Sequence, residues 1–179
     1  MVNMIHSTGV RSVIDDQTWR YGEQLPGTVS VTLDLTTFSN AEAENKKKYL
    51  TGLDDSATEV YIKSGVPLAR ITSGGSNGLY GPYDPEASDG RQDRVAGLLE
   101  SMLKVNVTVG GWEVEDSEVV GMRFRGNVIV KNLPVSPAET VAWDGDFVSV
   151  DPATGTTKRL PNTVATTGPG ATTGPGASA

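Results

Sequence analysis

The chain has 179 residues, with 21 Gly and 10 Pro but only three Trp, five Tyr and three Phe. Such a turn-rich composition with few bulky side chains favours a small core with long appendages over one large globule. The absence of Cys excludes a disulfide framework, a thiolate nucleophile and Cys-ligated zinc or iron–sulfur sites. The net charge of −7 argues against a nucleic-acid partner, because phosphate binding needs clustered Lys and Arg.

The N-terminal part is predicted to be an arm, placed at residues 1–36. Residues 1–27 show no sustained periodicity, and the chain has no apolar run long enough for a secretory leader or a membrane span, so we expect no membrane partner. Residues 28–35 then alternate polar and apolar side chains without a fault. This pattern predicts a strand whose apolar face consists of Val29, Val31, Leu33 and Leu35.

Residues 39–49 are predicted to form either a short helical turn or a mobile linker. Ser39 and Glu42 have the spacing of a capping box, and Ala and Glu follow them. The basic run Lys46-Lys47-Lys48 lies beside acidic residues, so we interpret it as a solvated face rather than an anion site.

Strands are predicted on both sides of a Gly-rich turn at residues 74–78. Residues 60–71 read as strand on both sides of a turn at Ser64-Gly65, and Pro67 indicates an edge position, because proline has no N–H to donate to a ladder. Residues 119–130 suit strands interrupted by Gly126.

The segment at residues 95–109 is ambiguous. The apolar residues between 95 and 103 fit helical spacing, whereas Val105, Val107 and Val109 alternate like a strand. Periodicity alone therefore favours a helix followed by a strand.

Two hairpins are predicted near the C-terminus. In the first, residues 141–143 and 147–150 flank Asp144-Gly145, a dipeptide typical of a type I′ turn. The second hairpin returns through residues 151–155. Residues 163–179 carry a Thr-Thr-Gly-Pro-Gly-Ala repeat without a large apolar side chain, so we expect a disordered tail.

No motif in the chain predicts catalysis or a cofactor. His6 is the only histidine, which excludes a Ser-His-Asp triad or a two-His metal site within one chain. The acidic residues between 84 and 93 lack the Gly and Glu of a calcium loop, so a solvated turn is the better interpretation. The carboxylates of residues 113–118 leave a hydrolase as a weak alternative without a glycosidase motif, and residues 74–78 lack the ending of a phosphate loop.

An ordered series of short motifs between residues 60 and 135 is more distinctive. The series is Ser64-Gly65-Val66-Pro67-Leu68, Tyr80-Gly81-Pro82-Tyr83-Asp84-Pro85, Asp89-Gly90-Arg91 and Ala96-Gly97-Leu98-Leu99. In this order and spacing it resembles the central domain of lambda-type bacteriophage head decoration proteins, which act as capsid cement. The residues that the resemblance marks as structural are Ser64, Gly65, Pro67, Leu68, Tyr80, Pro82, Tyr83, Asp84, Gly90, Arg91 and Gly97.

The resemblance implies a mainly β fold with minor α, in which a small β-rich decoration-protein domain spans residues 37–135. The arm at residues 1–36 would precede it. A β-hairpin extension at residues 136–162 and the tail would follow, and these two parts depart from the lambda-type core. It also implies that residues 96–99 form a strand in which Gly97 allows close backbone packing, against the helix that periodicity favours.

The implied function is that of a non-enzymatic homotrimer without cofactors, made in the host cytoplasm and located on the outer surface of the virion capsid. Its partner would be the major capsid protein, bound at local threefold positions of the expanded head. The resemblance further suggests that the arm orders on the capsid, with Val29, Val31, Leu33 and Leu35 as capsid-binding residues that add a strand to a capsid sheet.

Two alternatives stay open at this point. Residues 29–35 could be an ordinary core strand of their own domain. The protein could also be a virion- or cell-surface binding module that recognises its target through the C-terminal hairpins and the tail.

Overall fold

The computed structural model describes residues 13–22, 26–41, 43–52, 59–108, 111–112 and 117–162. Within these residues the fold is mainly β with minor α, as predicted. The helical elements are α1 (Thr36–Ser39), α2 (Ala43–Tyr49) and a 3₁₀ turn (Val130–Asn132). The strands, in chain order, are β1 (Thr28–Asp34), β2 (Leu50–Thr51), β3 (Glu59–Ile62), β4 (Pro67–Arg70), β5 (Tyr80–Pro82), β6 (Arg94–Val95), β7 (Gly97–Leu99), β8 (Leu103–Thr108), β9 (Gly111–Trp112), β10 (Ser117–Arg123), β11 (Arg125–Val128), β12 (Ala142–Trp143), β13 (Asp146–Val150) and β14 (Thr157–Arg159).

A closed five-stranded barrel forms the centre of the molecule, with its strands in the order β1, β10, β7, β4 and β5. β1 pairs antiparallel with β10 along its whole length, from Thr28 opposite Arg123 to Asp34 opposite Ser117. The barrel closes through one parallel pair between Leu33 of β1 and Tyr80 of β5. β1 is therefore fully paired on one side and paired at only one end on the other.

The predicted strand at residues 28–35 is confirmed, but it lies in the domain's own core. Val31, Leu33 and Leu35 are buried, whereas Val29 is 42% exposed. Burial of each such aliphatic side chain contributes roughly 1.5–3 kcal/mol, so these three side chains are held inside the barrel. Their assignment as capsid-binding residues is corrected accordingly, and the strand belongs to the domain rather than to an arm.

Two hydrophobic cores share the strands β4 and β7. Leu68 of β4 and Leu99 of β7 face the barrel interior, whereas Ala69 of β4 and Leu98 of β7 face the second core. Both strands are therefore apolar on both faces, and their sequences run continuously apolar instead of alternating. The second core is completed by side chains from outside the barrel: Trp19, Tyr83, Val95, Val128, Leu133, Trp143 and Phe147.

This double burial explains why periodicity misleads at residues 95–103. The structure has strands there, β6 and β7, and the strand expected from the resemblance is confirmed. Gly97 lies directly beside the backbone of β10, where a Cβ atom would fall within 3.0 Å of the Arg123 carbonyl oxygen. The expectation that Gly97 permits a close backbone approach is confirmed as well.

The predicted hairpin around Asp144-Gly145 is wrong. β12 pairs in parallel with β6, and β13 pairs in parallel with β11, so the two strands do not pair with each other. Gly145 does not have a positive φ angle; a Cβ there would collide with the Phe124 carbonyl oxygen. The second predicted hairpin is confirmed as β13–β14, with Gly155 at φ +70° in its turn.

Two smaller predictions also need correction. Pro67 is not on an edge strand, because β4 lies between β5 and β7; it stands instead at the first position of the strand, where a missing N–H is tolerated. Ser39 ends α1 rather than capping a helix, and Glu42 lies outside the described residues. The helical character of the following segment is confirmed by α2.

We expect Gly97→Ala to lower the free energy of unfolding by about 1–3 kcal/mol, because the new methyl group must displace backbone of β10. Chemical denaturation measures the effect. Gly75→Ala is the matched control: Gly75 has open space around it and no positive φ, so its variant should unfold within about 0.5 kcal/mol of the parent. Equal stabilities of the two variants would contradict the close approach at Gly97.

Candidate functional site

The residues that carry the family resemblance hold the fold together. Ser64 is buried, accepts a hydrogen bond from Trp19 Nε1 at 3.3 Å and donates one to the Asp16 carbonyl oxygen at 2.7 Å. Gly65 has φ +74°, and a Cβ there would lie 2.6 Å from the Trp19 ring. Ser64 and Gly65 thus form the surface against which Trp19, from the N-terminal part of the chain, packs.

The next motif residues build the barrel wall. Leu68 pairs with Pro82 across β4 and β5, and Tyr80 makes the parallel pair that closes the barrel. Tyr83 is buried in the second core, and its carbonyl oxygen accepts a hydrogen bond from the Tyr49 hydroxyl at 3.2 Å. Burial raises the pKa of Tyr49 to about 12, and the negative charge of Asp84 adds to the shift, so this phenol stays a neutral donor.

Arg91 fixes the conformation of the turn that carries the acidic residues between 84 and 93. Arg91 Nε lies 2.9 Å and 3.1 Å from the two carboxylate oxygens of Asp89, and Arg91 Nη1 donates to the Pro82 carbonyl oxygen at 3.2 Å. Gly90 has φ +105° and packs against Thr72. Among the described residues, no group of three or more acidic or histidine side chains is placed to hold a metal ion.

A polar cleft of about 620 Å³ lies beside this turn, between the acidic residues and the loop at residues 73–76. Asp34 is buried at its edge and accepts hydrogen bonds from the Thr36 backbone N–H at 2.9 Å and the Thr36 hydroxyl at 2.6 Å. Burial raises the pKa of Asp34, but hydrogen bonds from Ser76, Thr36 and the Thr37 backbone together hold it below its ordinary value. The carboxylate therefore serves to anchor the start of α1.

Residues 13–22 form a segment that we call the N-terminal strap. Its backbone adds to the outer edge of β11, since Ile129 N donates to the Trp19 carbonyl oxygen at 2.7 Å and Tyr21 N donates to the Asn127 carbonyl oxygen at 3.2 Å. Trp19 is only 1% exposed and fills the second core. The predicted arm thus includes a stretch that is docked on the domain.

An ion-pair network fastens the strap to the barrel. Arg123 of β10 makes a bidentate pair with Glu100, at 2.8 Å from Nε to Oε2 and 2.7 Å from Nη2 to Oε1. Arg20 of the strap lies 3.2 Å from the same Oε1 and stacks over the Trp19 ring at 4.7 Å. Because Arg123 is 5% exposed, loss of Glu100 would leave a buried charge without its carboxylate.

Along the outer edge of β1, residues 28–32 have no neighbouring strand among the described residues. Phe124 N donates to the Gly27 carbonyl oxygen at 2.8 Å. In an antiparallel pair bonded and non-bonded positions alternate, so the odd-numbered residues of β1 exchange hydrogen bonds with β10. The even-numbered residues Thr28, Ser30 and Thr32 turn their peptide groups away from β10.

These peptide groups meet little protein on their own side. β5 reaches β1 only at Leu33, and among the described residues no backbone group pairs with the N–H or C=O groups of Thr28 and Ser30. The side chains of residues 28–30 are all exposed. The edge is therefore an accessible template for a further strand.

The composition of this edge favours pairing. Residues 28–32 carry no charge, no Pro and no Gly, whereas the outer edge of β14 displays exposed Lys158 and Arg159. Charged edge residues are a common protection against unwanted strand pairing. Val119, which lies opposite Thr32 on β10, is also exposed, at 63%.

Sequence reasoning found the strand but not its open edge, because the pattern of one strand does not show which neighbours flank it. The absence of charge in residues 28–32 was the available signal. The strap was missed because Trp19 and Arg20 stand in a stretch without periodicity. Residues 1–12, 113–116 and 163–179 lie outside the described residues, and they include His6, the tail and all carboxylates of the acidic cluster at residues 113–118 except Glu118.

Comparisons with protein-family models, curated proteins and solved structures find no match to this chain. Across the described part of the chain, no helix combines the length and apolarity needed to cross a membrane. Lys47 of the basic run pairs with Glu44 at 2.8 Å on the exposed face of α2, in agreement with a solvated face.

We expect Trp19→Ala to cost about 3–5 kcal/mol of folding stability and to release the strap, because Trp19 is the large side chain with which the strap enters the second core. Denaturation gives the stability, and limited proteolysis reports the release. Ile14→Ala is the matched control in the same strap, since Ile14 is 81% exposed and its variant should behave as the parent. A Trp19→Ala protein with parental stability and protease resistance would rule out this docking.

Asp34→Asn is expected to lose about 1–3 kcal/mol of stability at pH 7, because hydrogen bonds to the charged carboxylate are lost. The lowered pKa of Asp34 means that its contribution is present above the ordinary aspartate pKa and disappears as the pH falls through the folded-state pKa. The stability difference between parent and variant should therefore shrink between roughly pH 5 and pH 2. Urea denaturation across that range measures it, and a constant difference would contradict the role of the carboxylate.

Proposed function

We propose that this protein is a non-catalytic head decoration protein of a bacteriophage, which binds the outer surface of the capsid at local threefold positions as a homotrimer and stabilises the expanded head. The observation that carries the proposal is the open, uncharged outer edge of β1 on a compact β body. The motif series between residues 64 and 99 supports it through its resemblance to lambda-type decoration proteins.

The proposed contact is strand addition. An extended segment of the major capsid protein would pair with the outer edge of β1, with hydrogen bonds to the peptide groups of Thr28 and Ser30. Main-chain bonds of this kind supply affinity without a deep pocket. In this arrangement a capsid strand pairs with β1, and the apolar face of β1 stays in the barrel. The arrangement replaces the expectation that β1 is part of an arm that adds to a capsid sheet.

The properties of the body suit a cement. The Arg20–Glu100–Arg123 network and Trp19 join the strap, the barrel and the second core into one packed unit. Three copies in a trimer would present three such edges, and linked contacts of this type can raise overall binding by about 10²–10⁴ over a single contact. A stiff body with several shallow contacts can hold neighbouring capsid subunits together.

The catalytic alternative has less support. The polar groups of the family motifs are engaged in structural bonds, as the Arg91–Asp89 pair and the Ser64 hydroxyl show. Among the described residues of the acidic cluster, Glu118 lies on the exposed part of β10.

The test is binding of purified variants to undecorated expanded heads. Ser30→Pro removes one N–H that points away from β10, so it blocks the edge while leaving the β1–β10 bonds in place. We expect at least about a tenfold loss of head affinity, equal to 1.4 kcal/mol. Ser30→Ala keeps the N–H and is expected to bind as the parent does, and thermal denaturation checks that both variants fold.

Parental binding by a folded Ser30→Pro protein would contradict strand addition at this edge. Removal of residues 163–179 tests the surface-binding alternative, since head binding should survive it if the protein is a cement. Residues 137–162 must stay in that variant, because Trp143 and Phe147 are part of the second core.

A further inference from the structure

We propose that two copies of this chain pair with each other through the outer edges of β1, antiparallel about a twofold axis at Ser30. The contact would join two barrels through one continuous sheet. This self-pairing does not depend on the capsid. If the protein is a decoration protein as proposed above, self-pairing also hides the edge of β1 from a capsid segment.

The sequence of the β1 edge is symmetric about Ser30. Residues 28–32 read Thr-Val-Ser-Val-Thr, the same in both directions. An antiparallel register centred on Ser30 places Thr28 opposite Thr32, Val29 opposite Val31 and Ser30 opposite Ser30 of the second copy. A twofold contact of this kind uses the same patch on both partners and requires that patch to be self-complementary.

The outward peptide groups of β1 are in phase with this register. Thr28, Ser30 and Thr32 are the residues whose N–H and C=O groups point away from β10. The proposed register brings even-numbered residues opposite even-numbered residues, so the N–H of each Ser30 meets the carbonyl oxygen of the other Ser30. The two Ser30 residues exchange a pair of hydrogen bonds, and each Thr32 N–H donates to the Thr28 carbonyl oxygen of the other copy.

The distribution of charge favours contact between two copies at the β1 edge. The chain has a net charge of −7, and 21% of its residues are charged, so two copies repel each other over most surfaces. The edge at residues 28–32 is uncharged and lets their backbones approach without like charges in the ladder. Val29, which is 42% exposed in one copy, would lie opposite Val31 of the other at a closely spaced non-bonded pair.

The ends of the edge define the length of the contact. Pro26 and Gly27 precede the strand, and β5 occupies the same side of β1 from Leu33 onward. The ladder is thereby limited to five residues, and each edge accepts one copy. A short ladder of this size can open again when a better-matched strand competes for the same edge.

The experiment uses the fact that the full chain contains no Cys. In Ser30→Cys the only possible disulfide joins two chains. Residues opposite each other at a bonded antiparallel position have Cα atoms about 5.5 Å apart, within the usual disulfide range of about 4.4–6.8 Å. We expect mild oxidation to give a covalent dimer on a non-reducing gel.

Ser101→Cys is the matched control, because Ser101 is also exposed but lies outside any strand edge. Cross-linking of Ser30→Cys should be at least about tenfold faster than that of Ser101→Cys at equal protein concentration, as chance collisions would cross-link both alike. Adding Ser30→Pro protein, which cannot complete the ladder, should not slow the reaction, whereas excess parent protein should slow it by forming mixed pairs.

Equal cross-linking rates for the two cysteine variants, with both folded by thermal denaturation, would overturn the self-pairing. Equal cross-linking rates would not bear on the proposed capsid contact. That contact is tested separately, by the binding of the Ser30→Pro and Ser30→Ala variants to heads. Conversely, fast cross-linking of Ser30→Cys together with parental head binding by Ser30→Pro would support the self-pairing and refute the capsid contact.

Discussion

The burial of β4 and β7 on both faces is the constraint on which the rest of the molecule depends. Leu68 and Leu99 fill the barrel, while Ala69 and Leu98 point the other way and must be covered. Trp143 and Phe147 from the C-terminal region supply that cover, and they pack edge to face with ring centroids 5.1 Å apart. Because the outer faces of the barrel strands would otherwise expose apolar surface, the C-terminal strands form part of the same folding unit rather than an appendage.

The strap completes this cover and ties the chain's N-terminal region to the same unit. Trp19 enters the second core, and Arg20 shares Glu100 with the buried Arg123. One carboxylate thus balances two guanidinium groups from different parts of the chain, an arrangement in which removal of either partner costs more than the pair itself contributes. The edge of β11 is covered by the strap, whereas the edge of β1 stays open.

The sequence predicted the fold class and the elements that follow simple periodicity, such as β1 and the β13–β14 hairpin. It misjudged elements that are decided by distant neighbours: strands buried on two faces lose their alternation, as at Leu98 and Leu99, and the Asp144-Gly145 dipeptide serves a close approach to Phe124 instead of a tight turn. For the candidate site, the sequence predicted the strand at residues 28–35 but assigned its apolar face to a capsid contact. The burial of Val31, Leu33 and Leu35 depends on the closure of the barrel, which the pattern of one strand does not show.

The capsid contact that we propose lies at the outer edge of β1. Cryo-electron microscopy of undecorated expanded heads mixed with the purified protein tests it most directly, at a resolution that separates neighbouring strands, about 4.7–4.9 Å apart. We expect density for three copies at the local threefold positions, with a strand of the capsid protein alongside residues 28–32. Heads without density at those positions, or bound copies whose β1 edge faces solvent, would contradict it.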